Sequence, residues 1–185
     1  QNISYMYFKM LKFFLLISFL FSKSLFATGY DVFNIGFYDV KFDGSATNTA
    51  SDFRYERRFD NSIIEIGPEN ENFFFLKPFA GIELTSDSAL YLLGGIYLED
   101  NLGTLFVGKD SNFIFTPSIG AGYYDDGDGK KLGSNIEFRT TLEFSYQLES
   151  KDRIGLSFGH ISNANIGDKN PGVEIISLSY QVPFN

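Results

Sequence analysis

The sequence contains no cysteine and no tryptophan, and its 185 residues include a single histidine, His160. The absence of cysteine excludes disulfides and thiolate zinc sites, and it is compatible with an oxidising compartment. Basic residues are sparse: 15 Lys and Arg stand against 23 Asp and Glu, for a net charge of −8. That balance argues against a nucleic-acid partner, because phosphate binding needs clustered Lys and Arg. Long apolar runs are also missing beyond the N-terminal region, so no helix is predicted to cross a bilayer. With 5 Pro and 18 Gly the chain suits many short strands and turns rather than long helices. Its length suggests one domain. Aromatic residues are abundant, with 22 Phe and 11 Tyr.

The N-terminal run is of a particular kind. From Met10 the chain reads "MLKFFLLISFLFSKSLFA", with Lys9 and Lys12 preceding an apolar stretch from Phe13 to Phe21. That stretch is too short for a spanning helix and predicts a secretory signal peptide over residues 1–27, cleaved after Ala27. The chain opens on Gln1, so residues 1–9 are read as possible upstream sequence. Residues 28–185 then form the mature domain.

Period-two alternation dominates that domain. Ile136, Phe138, Leu142, Phe144, Tyr146 and Leu148 share one face, with Thr140 its one polar member. Glu137, Arg139, Thr141, Glu143, Ser145 and Gln147 share the other. Eight strands are predicted, at about 30–40, 51–59, 73–85, 88–99, 112–124, 134–148, 152–162 and 173–184. Segment 102–108, "LGTLFVG", reads either as an extension of the fourth strand or as a short piece of its own. The cluster "DDGDGK" at 125–130 places Lys130 where a calcium loop needs an oxygen ligand, so it is read as a hairpin loop. No metal site is expected.

Eight alternating strands in an exported chain fit two architectures. One is an eight-stranded antiparallel transmembrane β-barrel of the outer-membrane type, apolar outside and polar inside. The other is a soluble lipocalin-like barrel with the opposite polarity. Strands of about 10 residues match a tilted bilayer crossing, which favours the first. Glu137, Arg139 and Glu143 would then form an ion network in the lumen. Phe73, Tyr123, Tyr124, Tyr180 and Phe184 would form interfacial girdles.

Within this pattern one stretch is out of character. Ile154, Leu156, Phe158, His160 and Ser162 fall on one strand face, and Glu174 is in phase with the apolar Ile176, Leu178, Tyr180, Val182 and Phe184 of the next strand. With both termini in the periplasm, all three polar groups reach the outer rim of the lipid-facing wall. A serine becomes nucleophilic when a base takes its proton, and a third group orients that base. Ser162, His160 and Glu174 are candidates for these roles, although no G-x-S-x-G elbow is present. The plainer account is three unremarkable interfacial residues, and spacing alone favours it; the shared apolar face shifts the balance toward function.

His160-x-Ser162-Asn163 followed by Asn170-Pro171-Gly172-x-Glu174 resembles the signature of the lipid A 3-O-deacylases, the PagL-like outer-membrane acyl hydrolases. The likeness runs from about residue 75 to the C-terminus, and the first two strands match weakly. It implies an outer-membrane serine esterase that removes the 3-O-linked acyl chain of lipid A without a cofactor. Ser162 would be the nucleophile, His160 the general base and then acid, and Glu174 the orienting carboxylate. Asn163 and a nearby backbone N–H would form the oxyanion hole; Asn165 stands where the family often has Gly. The expected partners are lipopolysaccharide and outer-membrane lipids, and the expected assembly is a monomer or homodimer. Lys130, Lys131 and Lys169 lie on outer loops, either as solvated charges or as contacts to lipid A phosphates. Two alternatives stay open: a non-catalytic small outer-membrane barrel with a structural or adhesive role, and a soluble periplasmic lipid-binding barrel.

Overall fold

The computed structural model describes residues 28–41, 49–67 and 74–185. The expected leader, 1–27, and Phe73 lie outside them. Among the described residues the chain forms strands β1 (Gly29–Tyr38), β2 (Ala50–Phe59), β3 (Ile64–Ile66), β4 (Phe74–Thr85), β5 (Leu90–Tyr97), β6 (Asp100–Asn101), β7 (Phe113–Asp125), β8 (Ile136–Gln147), β9 (Arg153–Ser162) and β10 (Val173–Phe184). Helix α1 spans Leu102–Val107.

Eight of these strands close on themselves. The order β2-β1-β10-β9-β8-β7-β5-β4 is completed by β2 pairing with β4, and every pairing around the ring is antiparallel. Closure removes all sheet edges from the wall. β3 and β6 are short additions paired to β4 and β7.

The alternation resolves with the polar face inward. Arg54, Glu56, Arg58, Glu83, Arg139 and Glu143 are all buried in the lumen. Phe33, Ile35, Phe37, Leu142, Phe144, Ile154, Leu156, Phe158 and Leu178 are all exposed on the outer wall. Soluble monomers rarely show contiguous apolar patches beyond a few hundred Å². A wall apolar all the way round needs a hydrocarbon solvent, so the barrel is of the outer-membrane type rather than the lipocalin type.

Arg139 bridges Glu56 and Glu83, and Arg58 bridges Glu56 and Glu143, with Gln181 also donating to Glu143. Buried charge is tolerable because each group has opposite-sign partners across the lumen. Arg139 and Glu143 therefore belong to the expected network. Glu137 is buried but makes no ion pair among the described residues.

Three local differences from the sequence reading have physical causes. Segment 102–107 is helical, because Asn101 caps it by accepting from Gly103 N and Thr104 N, and Gly108 ends it at φ 68° in the left-handed region. β3 was not expected; its three residues pair with Leu76, Phe75 and Phe74 beyond the barrel wall. Tyr124 does not join an exterior girdle, because its position in β7 turns it inward, where its hydroxyl lies 2.7 Å from that of Tyr38. Tyr123 and Tyr180 do face outward.

Candidate active site

The start of β1 and the end of β10 are paired, Gly29 with Phe184, so both lie at one rim. β9 rises from that rim and ends at the opposite one, where the loop 163–172 returns the chain into β10. Along β9 the side chains alternate strictly, with Ile154, Leu156, Phe158 and His160 exposed and Gly155, Ser157, Gly159 and Ile161 buried. Ser162 follows on the outward side and is half-buried.

The register then brings His160 directly opposite Glu174. Their side chains meet on the outer face, with 3.2 Å between His160 Nδ1 and Glu174 Oε1. Both are largely open, with side-chain exposures of 49 % and 41 %. Ser162 shares their face two residues beyond His160, about 6.6 Å along the strand, within reach of two facing side chains. Its hydroxyl makes no hydrogen bond among the described residues. Two of the three candidates are thus joined directly, and the third is adjacent.

The imidazole is also fixed from above. Gly172 adopts φ +58°, and a Cβ placed on it would lie 2.9 Å from His160 Cε1 and 3.5 Å from Nε2. Only glycine lets the backbone pass this close to the ring in this conformation. The sequence contains this signal as the glycine of Asn170-Pro171-Gly172, read there as a turn residue and not as a wall of the site.

The loop after Ser162 is a tight turn in which Ala164 and Asn165 both have positive φ, 53° and 65°, and Ile166 N donates to Asn163 O. Two successive non-glycine residues in the left-handed region mark stored strain of the sort held at functional sites. Asn163 is fully buried at its centre. Its Nδ2 donates to Leu132 O at 2.9 Å and Lys169 O at 2.7 Å, while its Oδ1 accepts from Asn165 N at 2.9 Å. Its own N–H donates to Asn170 Oδ1 at 3.0 Å. The Asn163 amide and the Asn165 N–H are therefore both committed within the protein. Of the backbone N–H groups of 163–166, that of Ala164 is the one without a partner among the described residues.

Beneath the His160–Glu174 pair the outer wall is grooved. A cleft of about 300 Å³ is lined by Ile35, Phe37, Leu156, Ile176 and Leu178, with backbone at Gly36. It begins one strand repeat from the pair, since Ile176 is two residues after Glu174 and its neighbour across the strands is Phe158. Of the loop lysines, Lys131 is exposed, whereas Lys130 is held in an ion pair with Asp39.

The fold and the site together define an eight-stranded barrel of the outer-membrane type that carries a hydrogen-bonded acid–imidazole pair and a serine on its outward-facing rim. The chain belongs to the lipid A 3-O-deacylase (PagL) family, whose model matches residues 85–183, more than half of the sequence. Lipid A deacylase PagL of Bordetella bronchiseptica is 38% identical over 55 residues, which are 30% of this chain and 31% of that protein. The aligned part thus spans under a third of that relative's length. Among solved structures, the crystal structure of the outer membrane enzyme PagL superposes with a TM-score of 0.59 at 16% identity, covering 84% of this chain and all of that one. A de novo designed transmembrane β-barrel follows with a TM-score of 0.51 at 11% identity, over 84% of this chain and 95% of the design. At such identities these superpositions speak for the fold.

Proposed function

We propose that this protein is an outer-membrane serine esterase that removes the 3-O-linked acyl chain of lipid A. The observation that carries this reading is the His160–Glu174 pair beside Ser162 on a predominantly apolar outer wall, at the rim opposite the outward Asp31–Arg57 pair. In the reaction Ser162 Oγ attacks the ester carbonyl carbon while His160 Nε2 takes its proton. Glu174 accepts the Nδ1 hydrogen and so fixes the tautomer and stabilises the imidazolium. The Ser162 side chain swings to meet the ring as substrate arrives; such contacts are often loose in the free enzyme. Negative charge on the carbonyl oxygen is met by the Ala164 N–H. The role that the resemblance gives to the Asn163 side chain is then structural, since its donors hold the turn. The bond between the acyl carbon and the sugar oxygen breaks, and His160 gives the proton to that departing oxygen to make the sugar hydroxyl. A water deprotonated by His160 then attacks the acyl carbon and frees Ser162, which regains its proton.

The site's position supports this substrate. With the terminal rim at the periplasmic side, as in outer-membrane barrels generally, the pair lies at the outer interface. An ester at headgroup depth is then level with Ser162, and its acyl chain runs down the groove formed by Ile35, Leu156 and Leu178. No passage through the lumen is needed.

Mass spectrometry of lipid A from cells expressing the wild type or Ser162→Ala tests the reading. The wild type removes one hydroxyacyl chain, and the variant, folded as shown by heat-modifiable gel mobility, leaves the lipid intact. Loss of activity is at least about 10⁴-fold, as for other nucleophile knock-outs. Equal lipid profiles would remove the enzymatic reading and leave the scaffold one.

A further inference from the structure

We propose that Lys130 is a positioning residue for the His160–Glu174 pair, acting through the backbone of Gly172. This rests on the esterase reading for its kinetic consequence, but not for its structural one.

Lys130 lies on the loop between β7 and β8, 30 residues from His160 in sequence, yet it reaches the site from the side. Its Nζ donates to Gly172 O at 2.8 Å and to Asp39 Oδ1 at 2.7 Å. Asp39 is buried, sits at φ 58° where β1 ends, and has Lys41 Nζ 3.7 Å from the same Oδ1. The next residue, Val40, donates its N–H to Glu174 O at 3.0 Å. Residues 39 and 40 therefore hold the start of β10 at two points. One is direct, at the main chain of Glu174. The other passes through the Lys130 ammonium to the carbonyl of Gly172.

Gly172 is the residue whose backbone packs on the imidazole, so the ammonium sets how closely that backbone approaches the ring. The base of the loop is fixed as well: Tyr124 Oη, which lies 2.7 Å from Tyr38 Oη, donates to Lys130 O at 3.3 Å. A charge-assisted bond with Asp39 is stronger than a neutral one, and here it is only partly open to water. An ammonium holding two partners in this way is neither a solvated loop charge nor poised for a phosphate.

The single histidine makes the test direct. Protein carrying histidine labelled with ¹³C at Cε1 alone, in detergent micelles, gives one ring resonance, that of His160. Lys130→Met and, separately, Asp39→Asn are compared with the wild type by this signal. Both are also compared by hydrolysis of a neutral p-nitrophenyl fatty-acid ester, which has no phosphate, and of phosphorylated lipid A. Both variants shift the ring resonance and lower kcat about tenfold to a hundredfold on both substrates with KM little changed, since misplacement of a catalytic group costs rate. Lys130→Arg recovers part of the rate, and Lys131→Ala leaves ester hydrolysis at the wild-type value.

A loss seen on lipid A alone, carried by KM with the resonance unmoved, would overturn the proposal and make Lys130 a phosphate contact. No change in any readout would overturn it equally. If Ser162→Ala hydrolysed both substrates as fast as the wild type, the esterase reading would fall, while the ring resonance would still decide whether Lys130 positions His160. Asp39→Asn carries the test if Lys130→Met does not fold.

Discussion

Inside the barrel Arg139 lies between Glu56 and Glu83; outside it His160 faces Glu174 across the β9–β10 ladder. Both are acid–base pairs, but the first spans the lumen between strands on opposite sides of the barrel, the second joins neighbouring strands, and their surroundings differ. The lumen pairs are fully buried and belong to a network in which each charge answers another. The outer pair is about half exposed and sits with Ser162 and Thr140 at the rim, above a wall of Phe, Ile and Leu. Inward-facing polarity is what a membrane barrel must have, because the lumen is its only polar interior. Outward-facing polarity at the rim serves no such need. On the esterase reading, the same chemical partnership is structural on one side of the wall and catalytic on the other.

That contrast can be broken from the inside. Arg139→Met leaves Glu56 and Glu83 with Arg54 as the one cation they still share. Removing one partner of a buried ion pair typically destabilises by about 3–5 kcal/mol. The expected result is a marked fall in the temperature at which the compact gel species converts to the unfolded one. Activity of the folded fraction stays within about twofold of wild type on any ester the protein cleaves. A variant of unchanged thermal stability would mean that water and the remaining Arg54 and Arg58 carry the lumen without it.

Glu174→Gln is the mirror experiment. The carboxylate is exposed and its loss leaves no buried charge, so stability changes little, as for other surface pairs, within about 1 kcal/mol. Hydrolysis falls far more, by about 10²-fold to 10⁴-fold, because the imidazole loses the acceptor that fixes its tautomer. If the two variants exchanged phenotypes, with Glu174→Gln unfolding the barrel and keeping its rate, the division of roles between the two surfaces would be mistaken.

How much of this was visible in the sequence follows the same division. The wall was legible because its signal is local: period two fixes which residues share a face, and β8 shows it over its full length. The facing of His160, Ser162 and Glu174 followed from that phase, and the register then supplied the contact that phase alone could not. Features that depend on chain ends or on loops meeting were not legible. Tyr124 lies at the end of β7, where one residue of phase separates girdle from interior. Helix α1 is a single six-residue element of apolar composition, which periodicity cannot tell from a strand; its caps, Asn101 and Gly108, were the available cue. The commitment of Asn163 to Leu132 and Lys169, and of Lys130 to Asp39 and Gly172, joins loops up to 91 residues apart. No local pattern encodes such meetings.

The smallest expected effect refines the outer side of the comparison. Leu178 is 60% exposed and lines the groove under the pair, four residues along β10 from Glu174 and so about 13 Å from it along the strand. A fatty acyl chain whose carbonyl sits at Ser162 passes this point only if it is long. Leu178→Trp adds an indole to an already apolar surface, so the wall stays compatible with lipid and the barrel stays folded. The groove, however, is shortened. Rates on short acyl esters should therefore hold, while rates on long ones fall by about tenfold, the scale on which a few methylenes are discriminated in apolar pockets. The measurement is kcat/KM across a series of p-nitrophenyl esters of increasing chain length. Equal losses at every length would place the acyl chain elsewhere on the wall. A loss confined to long chains would show that the apolar exterior below the pair measures the substrate as well as anchoring the barrel in lipid.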